Sequence, residues 1–155
     1  MLKNILLFGV AATWLLSAQV DSAEQPAKEK RAALTNQIAW QLYEKYLSAW
    51  NAAAPEQQAK IATEVVAEGA WYSTPRHELG GRTTIIADMA AFQKKHPGGH
   101  FEVGDVSAHH DSALLTWVMI LADGSVLTRG HDQIRVSAEG KIVSVNTFDS
   151  SVDKP

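Results

Sequence analysis

The sequence predicts an α+β fold, a cone-shaped domain in which three N-terminal helices pack on a curved, mostly antiparallel β-sheet. In the first half of the chain, apolar residues recur at spacings of three and four, the period of a helix buried on one side. From Phe101 onward, alternating runs rich in β-branched and aromatic residues indicate strands. Two of these runs flank Asp123-Gly124, a dipeptide that strongly favours a hairpin turn. Helices followed by a run of strands are typical of a sheet with its helices on one face.

Residues 1–22 have the pattern of a secretory signal peptide. Lys3 precedes the apolar run Ile5–Leu16, and small residues follow up to a cleavage point after Ser22, with Ala18 as the alternative. The run is shorter than the roughly 20 residues that a membrane span requires. We therefore expect a periplasmic or secreted protein that keeps no membrane span after cleavage. A retained N-terminal anchor is the alternative. The chain has no cysteine, which excludes a disulfide framework and suits a bacterial periplasmic protein held together by an ordinary core.

The remaining sequence is predicted to hold one domain. Residues 23–33 form a charged segment that is flexible or extends the first helix, residues 34–149 have the length of a single domain, and residues 150–155 form a tail. The formal net charge is −3, and no stripe of lysine and arginine is interleaved with aromatic residues. Nucleic acid is therefore not an expected partner.

The first two helices are predicted from periodicity and from their end signals. The first spans Leu34–Trp50. Its buried stripe is predicted to hold Leu34, Ile38, Leu42, Tyr46 and either Ala49 or Trp50. The second begins at Pro55, which suits the first helical position, and ends at a cap on Gly69.

The third helix is predicted to span Ile85–His96, with Thr83 or Thr84 as its N-terminal cap. Pro97 and the two glycines that follow end it. Between the second and third helices, Trp71–Ser73 is a brief extended piece and Arg76–Arg82 is a polar loop.

Four strands complete the domain. Phe101–His109 alternates imperfectly, so we expect a bulge in it. With Asp123-Gly124 as a two-residue turn, the hairpin around it has a defined register. Its pairs on one face are Leu121 with Val126, Met119 with Thr128, Trp117 with Gly130, and Leu115 with Asp132. The last strand, Ile142–Phe148, then places Asn146 opposite Asp132.

Asp132 is predicted to point inward, among Leu115, Trp117 and Ile134. An apolar cleft raises the pKa of a carboxyl group by desolvation, which brings a general base closer to neutral pH. Such a base takes a proton from carbon beside a carbonyl, or activates water. The alternative interpretation is structural, with the carboxylate satisfied by Asn146, a backbone amide or a buried arginine.

Several short motifs, in order along almost all of the chain after the signal peptide, resemble the SnoaL-like branch of the nuclear transport factor 2-like superfamily. They are Tyr46–Trp50, Trp71–Pro75, Gly81–Ile85, Phe92 with Pro97-Gly98, His109–Asp111, Trp117, Gly130–Asp132 and Gly140–Ile142 with Phe148. The resemblance implies a pocket between the helices and the concave sheet face, and a homodimer formed through the outer face. It also implies that Asp132 is the base, since an inward strand aspartate has that role in related polyketide cyclases. The fold leaves the activity open, because it hosts cyclases, isomerases, dehydratases, epoxide hydrolases and non-catalytic binding domains.

Further site residues are predicted around this pocket. The predicted ligand contacts are Tyr46, Trp50, Trp71, Tyr72, Met89, Trp117 and Asn146. Aromatic residues dominate ordinary cores as well, so a core role is the alternative for them. His109 is a second candidate acid/base residue at the pocket rim, and the alternative is an exposed turn histidine. Neighbouring strand residues point to opposite faces, so His109-His110-Asp111 does not chelate, and we expect no metal and no cofactor.

Two functions therefore stay open. In the first, an exported domain holds a small apolar molecule in its pocket without turnover. In the second, a cofactor-free isomerase, cyclase, dehydratase or hydrolase uses Asp132 as general base, together with a second inward polar group at Tyr46, Tyr72 or His109. A purely structural dimer, with a filled cone and no cavity, is the third interpretation.

Overall fold

The structure is a computed structural model, and it describes residues 33–149. The predicted signal peptide, nearly all of the segment 23–33 and the tail 150–155 lie outside the described residues. The elements are α1 (Asn36–Asn51), α2 (Pro55–Val65), β1 (Val66–Ser73), β2 (Glu78–Gly80), α3 (Arg82–Lys95), β3 (His100–His109), β4 (Ser112–Ile120), β5 (Val126–Val136) and β6 (Ile142–Asp149). Three helices and a mostly antiparallel sheet confirm the predicted fold class in outline.

Helix α1 buries most of the predicted stripe, and Ile38 is the exception. Thr35 caps its N-terminus, and the Thr35 hydroxyl oxygen accepts from the Ile38 amide at 3.3 Å. Ile38 is 53% exposed, although it was expected on the buried stripe. The buried positions are Ala39, Tyr43, Tyr46, Leu47, Ala49 and Trp50. This face carries three aromatic side chains, Tyr43, Tyr46 and Trp50, whose burial removes a large apolar area from water.

The segment between α2 and α3 is more strand-rich than predicted. Helix α2 starts at Pro55 as expected, but it continues directly into β1, so Gly69 is a strand residue and not a cap. Strand β2 lies inside the predicted polar loop and pairs with the end of β1. Helix α3 starts at Arg82, and its N-cap is Gly81, whose φ of 89° favours glycine, in place of the predicted threonine.

The six strands form one sheet in the order β2-β1-β6-β5-β4-β3. Neighbours are antiparallel except β1 and β6, which are parallel. The predicted bulge in β3 is confirmed, since the register with β4 shifts between Val103 and Val106. Bulges of this kind increase the local bend and twist of a sheet. The helices pack on the concave face, which is consistent with a cone-shaped domain.

The β4–β5 register is confirmed where it matters for the site. Leu115 pairs with Asp132, and Trp117 pairs with Gly130. The turn itself was predicted wrongly. It has three residues, because the Leu121 amide donates to the Ser125 carbonyl at 2.8 Å and Gly124 has a φ of 83°. A bulge before Thr128 offsets this extra residue, so the expected pairing resumes at Met119 and Thr128.

The predicted register of β6 is wrong by one residue at the site. Val136 pairs with Ile142 as expected, but the register shifts between Val136 and Arg135. Asn146 therefore lies opposite Gln133, and Thr147 lies opposite Asp132. A shift of one residue moves each side chain to the other face, so threonine replaces asparagine on the concave side.

Two polar side chains tie the helices to the sheet around the site. The Asn51 side chain donates to the Phe101 carbonyl at 2.9 Å and accepts from the Phe101 backbone N–H at 2.7 Å. The Gln93 amide nitrogen donates to the carbonyls of Trp50 and Gly99 at 2.8 and 2.9 Å. These bonds satisfy buried backbone groups and fix the end of α1 beside α3 and β3. No helix among residues 33–149 has the length and apolar character to cross a membrane.

Candidate functional site

A cavity of about 510 Å³ lies between the helices and the concave face of the sheet. This volume falls within the range of small-molecule sites in proteins. Seven tyrosine, tryptophan and phenylalanine side chains line the cavity, and polar side chains occur both at its buried end and at its exposed mouth. The lining includes Tyr43, Tyr46, Trp50, Tyr72, Arg76, His77, Asp88, Phe101, Trp117, Asp132, Thr147 and Asp149.

Asp132 lies at the buried end of the cavity and is 4% exposed. One carboxylate oxygen accepts a hydrogen bond from the Tyr43 hydroxyl at 2.7 Å, and the other accepts from the Trp117 indole N–H at 2.9 Å. Gly130 makes the second bond feasible, because a Cβ there would lie 2.3 Å from Cζ2 of Trp117. The hairpin therefore positions the carboxylate and one of its donors together.

Opposing effects act on the ionisation of Asp132. Burial raises its pKa above the ordinary value, and hydrogen bonds from Tyr43, Thr147 and Trp117 lower it, with the net shift upward. Burial raises the pKa of Tyr43 as well, and the neighbouring Asp132 adds to that shift. Tyr43 thus stays a neutral donor, while Asp132 is a carboxyl group able to accept a proton nearer neutral pH.

The hydroxyl of Tyr46 has no hydrogen-bond partner among the described residues, although the residue is only 1% exposed. The indole N–H of Trp50 is near enough to favour the phenolate slightly, but it does not reach hydrogen-bond geometry. An indole N–H is moreover only a donor, so the Tyr46 hydrogen would still lack an acceptor. Burial is the largest cause of the raised pKa of Tyr46, followed by Tyr72 and Asp132, so the phenol is neutral and available as a donor.

The aromatic wall consists of side chains in edge-to-face or tilted contact. Trp50 is its centre, with ring centroids 6.4 Å from Tyr46, 5.8 Å from Tyr72 and 5.8 Å from Phe101. Phe101 in turn contacts Trp117 at 5.5 Å. These geometries are favourable for aromatic pairs, and they form a firm, flat-sided apolar surface.

A tight turn at Thr74–His77 carries two side chains to the mouth of the cavity. The Thr74 amide donates to the His77 carbonyl at 2.8 Å, and the His77 amide donates to the Thr74 hydroxyl at 3.1 Å. Arg76 donates to Asp149 at 3.2 Å, and His77 Nε2 lies 3.3 Å from Asp88 Oδ2. The mouth is therefore polar on both sides of the turn.

The structure brings together five of the nine predicted site residues. Asp132, Tyr46, Trp50, Tyr72 and Trp117 all line the cavity. Their roles in binding or catalysis stay predictions, whereas their common location follows from the confirmed hairpin register and from the aromatic face of α1.

The other four predicted site residues lie away from the cavity. Trp71 is 46% exposed on the outer sheet face, since its neighbours in β1 point inward. Asn146 donates to the Gln133 side chain at 2.7 Å on that same outer face, because of the bulge. Met89 is fully buried in the core below the cavity wall. His109 lies at the exposed end of β3, with its Nδ1 3.2 Å from that of His110.

Sequence reasoning missed Tyr43, Thr147, His77 and Asp88. Tyr43 was not among the predicted site residues, yet it is three residues from Tyr46 and shares its face. Thr147 required knowledge of the bulge. His77 and Asp88 lie in a loop and a helix that meet only in three dimensions, so no local pattern pointed to them. Within residues 33–149, no three histidine or acidic side chains form a cluster that could hold a metal ion.

Comparisons with known proteins agree with this architecture. The family model for the SnoaL-like domain matches residues 43–145. A candidate isomerase of the SnoaL-like family from Agrobacterium tumefaciens is 27% identical, covering 74% of this chain and 99% of its own, with a TM-score of 0.70. No curated protein matches the chain.

Two more distant structures share the fold. A candidate ketosteroid isomerase from Kribbella flavida is 21% identical, covering 77% of this chain and 83% of its own, with a TM-score of 0.58. A candidate SnoaL-like polyketide cyclase from Jannaschia is 14% identical, covering 71% and 85%, with a TM-score of 0.55. The chain belongs to the SnoaL-like domain family, within the nuclear transport factor 2-like superfamily.

Proposed function

We propose that the cavity binds a small, mainly apolar molecule whose carbonyl oxygen accepts a hydrogen bond from Tyr46. The observation that carries this proposal is the Tyr46 hydroxyl, buried without a partner among the described residues while its residue lines the cavity. The polar groups around it, Tyr72, Asp132 and Asp88, line the same cavity.

Energetics favour a ligand as the missing partner. Leaving a buried hydroxyl unpaired costs about 1–3 kcal/mol, so folded proteins rarely keep one without a use. A ligand oxygen that accepts from Tyr46 removes that cost, and the aromatic wall around Trp50 gains contact area with an apolar body. Two further features fit this ligand: the cavity is large enough for it, and most of the cavity's lining surface is apolar.

The test uses two bicyclic probes that differ by one carbonyl, tetralin and 2-tetralone. Binding is followed through the indole N–H signals of Trp50 and Trp117 in NMR titrations of the wild-type protein and Tyr46→Phe. We expect the substitution to weaken the binding of 2-tetralone about fivefold or more, which corresponds to about 1 kcal/mol. The binding of tetralin should weaken less than about twofold. Equal effects on the two probes, or no saturable binding of either, would contradict the proposal.

A second candidate function is proton transfer of the isomerase or cyclase type, with Asp132 as base. It is favoured by the upward-shifted pKa of Asp132 inside the cavity and by the names of structurally similar proteins. With the carbonyl held by Tyr46, the carboxylate would take a proton from the adjacent carbon, and the enolate oxygen would keep the Tyr46 hydrogen bond.

This candidate is tested by exchange of the α-protons of 2-tetralone in D₂O. We expect the wild-type protein to accelerate deuterium incorporation over buffer, and Asp132→Asn to abolish the acceleration while still binding 2-tetralone. Binding without acceleration in the wild type would leave the cavity a binding site only and remove Asp132 from catalysis.

We also propose that the domain acts in the periplasm or outside the cell, on the strength of the signal-peptide pattern in residues 1–22. The mass of the protein recovered from the periplasm of an expressing bacterium should correspond to cleavage near Ser22. An uncleaved chain in the cytoplasm would refute this.

A further inference from the structure

We infer that the cavity has a second hydrogen-bonding point, formed by His77 and Asp88 at its mouth, and that its ligand carries a hydroxyl group in addition to the carbonyl. The ligand class is therefore a compact, apolar hydroxy-ketone. This inference rests on the proposed function, which places the carbonyl at Tyr46, and it adds a separate recognition point.

His77 is held in place by its backbone and its ring. The turn at Thr74–His77 is closed by bonds in both directions between its end residues. The imidazole contacts the Tyr72 ring edge-to-face, with centroids 6.0 Å apart. Arg76, next to it, anchors the same turn to Asp149, whose side chain is only 3% exposed. The His77 ring is therefore oriented before any ligand binds.

The His77 ring keeps an unsatisfied atom at the cavity. Its Nε2 is buried and has no hydrogen bond among the described residues, although the side chain as a whole is 37% exposed. Asp88 Oδ2 lies 3.3 Å away without the alignment that a hydrogen bond requires. An imidazole Nε2–H is a donor and the Asp88 carboxylate is an acceptor, so the pair can offer one donor and one acceptor side by side.

A hydroxyl group is the simple ligand group that satisfies both members of this pair. It accepts from His77 Nε2 and donates to an Asp88 oxygen. A carbonyl would leave the carboxylate unmatched, and an ammonium would leave the imidazole N–H unmatched. The chemistry at the mouth therefore differs from that at Tyr46, where the ligand only needs to accept.

The two recognition points lie along one wall of the cavity. Ring contacts run from Tyr46 to Trp50, from Trp50 to Tyr72, and from Tyr72 to His77. A ligand that reaches both points carries two oxygen groups and has an apolar body against Trp50 and Tyr72.

The experiment compares 6-hydroxy-2-tetralone with 6-methyl-2-tetralone, in which a methyl group replaces the hydroxyl at similar size. Dissociation constants are measured by NMR titration for the wild type, His77→Phe and Tyr46→Phe. Phenylalanine keeps the ring contact with Tyr72 but has no ring nitrogen. We expect the wild type to prefer the hydroxyl probe, and His77→Phe to lower that preference about tenfold, as the loss of one hydrogen bond predicts.

Tyr46→Phe distinguishes failure of this inference from failure of the proposed function. It should weaken the binding of both 6-substituted tetralones equally and leave the hydroxyl preference intact, because it removes only the hydrogen bond to the carbonyl. A wild type that binds 2-tetralone through Tyr46 but prefers the methyl probe would overturn the second recognition point alone. The ligand-side comparison needs only the wild-type protein, so it holds even if His77→Phe fails to fold.

Discussion

Tyr43 and Tyr46 lie one helical turn apart, are both buried, and have opposite hydrogen-bond states. The Tyr43 hydroxyl donates to Asp132 at 2.7 Å. The Tyr46 hydroxyl has no partner among residues 33–149. The Tyr43 bond stabilises the fold, whereas the unpaired Tyr46 hydroxyl lowers the stability of the unliganded protein. Stability kept low at a binding position is typical of functional sites.

The two tyrosines should therefore respond oppositely to loss of their hydroxyl groups. We expect Tyr43→Phe to lower the free energy of unfolding by about 1–2 kcal/mol, because it leaves a buried carboxylate oxygen short of a donor. Tyr46→Phe should leave it unchanged or raise it by about 1 kcal/mol, because it removes an unpaired buried polar group. Urea denaturation of both variants without ligand measures the difference, and a greater loss for Tyr46→Phe would contradict it.

Asp132 should make stability depend on pH in a defined direction. Its pKa in the folded chain is raised from the ordinary 3.8, so the folded form holds this proton where the unfolded chain has released it. The contribution is full below pH 3.8 and is lost as pH rises through the folded pKa. As the pH rises through this range, we expect the wild type to lose stability relative to Asp132→Asn. The loss should be about 1.4 kcal/mol for each tenfold difference between the acid dissociation constants of Asp132 in the folded and unfolded chains.

Asp123→Asn is the control for this pH dependence. Bonds from Ser125 lower the pKa of Asp123, so its contribution is present above 3.8 and is lost as pH falls. In urea denaturation from pH 3.5 to 7.5, the two wild-type-minus-variant differences should have opposite slopes. Parallel slopes would show that Asp132 is not the buried carboxyl group described above.

At the scale of elements, the β4–β5 hairpin builds the buried end of the cavity. Asp132 and Gly130 face the concave side from β5, and Trp117 faces it from β4. The glycine is required by close approach, since a Cβ at Gly130 would lie 2.3 Å from the Trp117 ring and 2.6 Å from the Phe148 carbonyl oxygen.

Gly130→Ala should therefore displace the Trp117 indole and weaken its bond to Asp132. We expect a loss of about 2–3 kcal/mol in the free energy of unfolding, the usual cost of overpacking, and a shifted Trp117 indole N–H signal. Gly69→Ala is the control, because a Cβ there has no atom within 4 Å and should change stability by less than about 0.5 kcal/mol. A tolerated Gly130→Ala with an unmoved indole signal would contradict the close approach.

Bulges limited what could be predicted at this scale. The bulge before Thr128 offsets the three-residue turn, so the hairpin register at Asp132 was predicted correctly although the turn was not. The bulge at Val143 in β6 has no such compensation, and it replaced Asn146 by Thr147 beside Asp132. Bulge positions depend on how a strand bends over its neighbours, and alternation in a single strand does not reveal them.

For the whole molecule, the order of helices and strands was readable because periodicity and turn residues are local signals. The site was readable only where it depends on such signals, as at Asp132 and along the aromatic face of α1. His77 and Asp88 were missed because their proximity depends on how the β1–β2 loop packs against α3. The outer sheet face exposes Trp71, Leu114 and Phe148, and a homodimer through that face stays a prediction.

The most direct measurement is the Cζ chemical shift of Tyr46 in ¹³C-tyrosine-labelled protein during titration with 2-tetralone. The chain has three tyrosines, and single phenylalanine substitutions assign their signals. We expect the Tyr46 signal to move and saturate, because its hydroxyl gains an acceptor, and the Tyr43 signal to move less, because its hydroxyl already donates to Asp132. An unmoved Tyr46 signal, while the indole signals of Trp50 and Trp117 report a bound ligand, would contradict the proposed hydrogen bond.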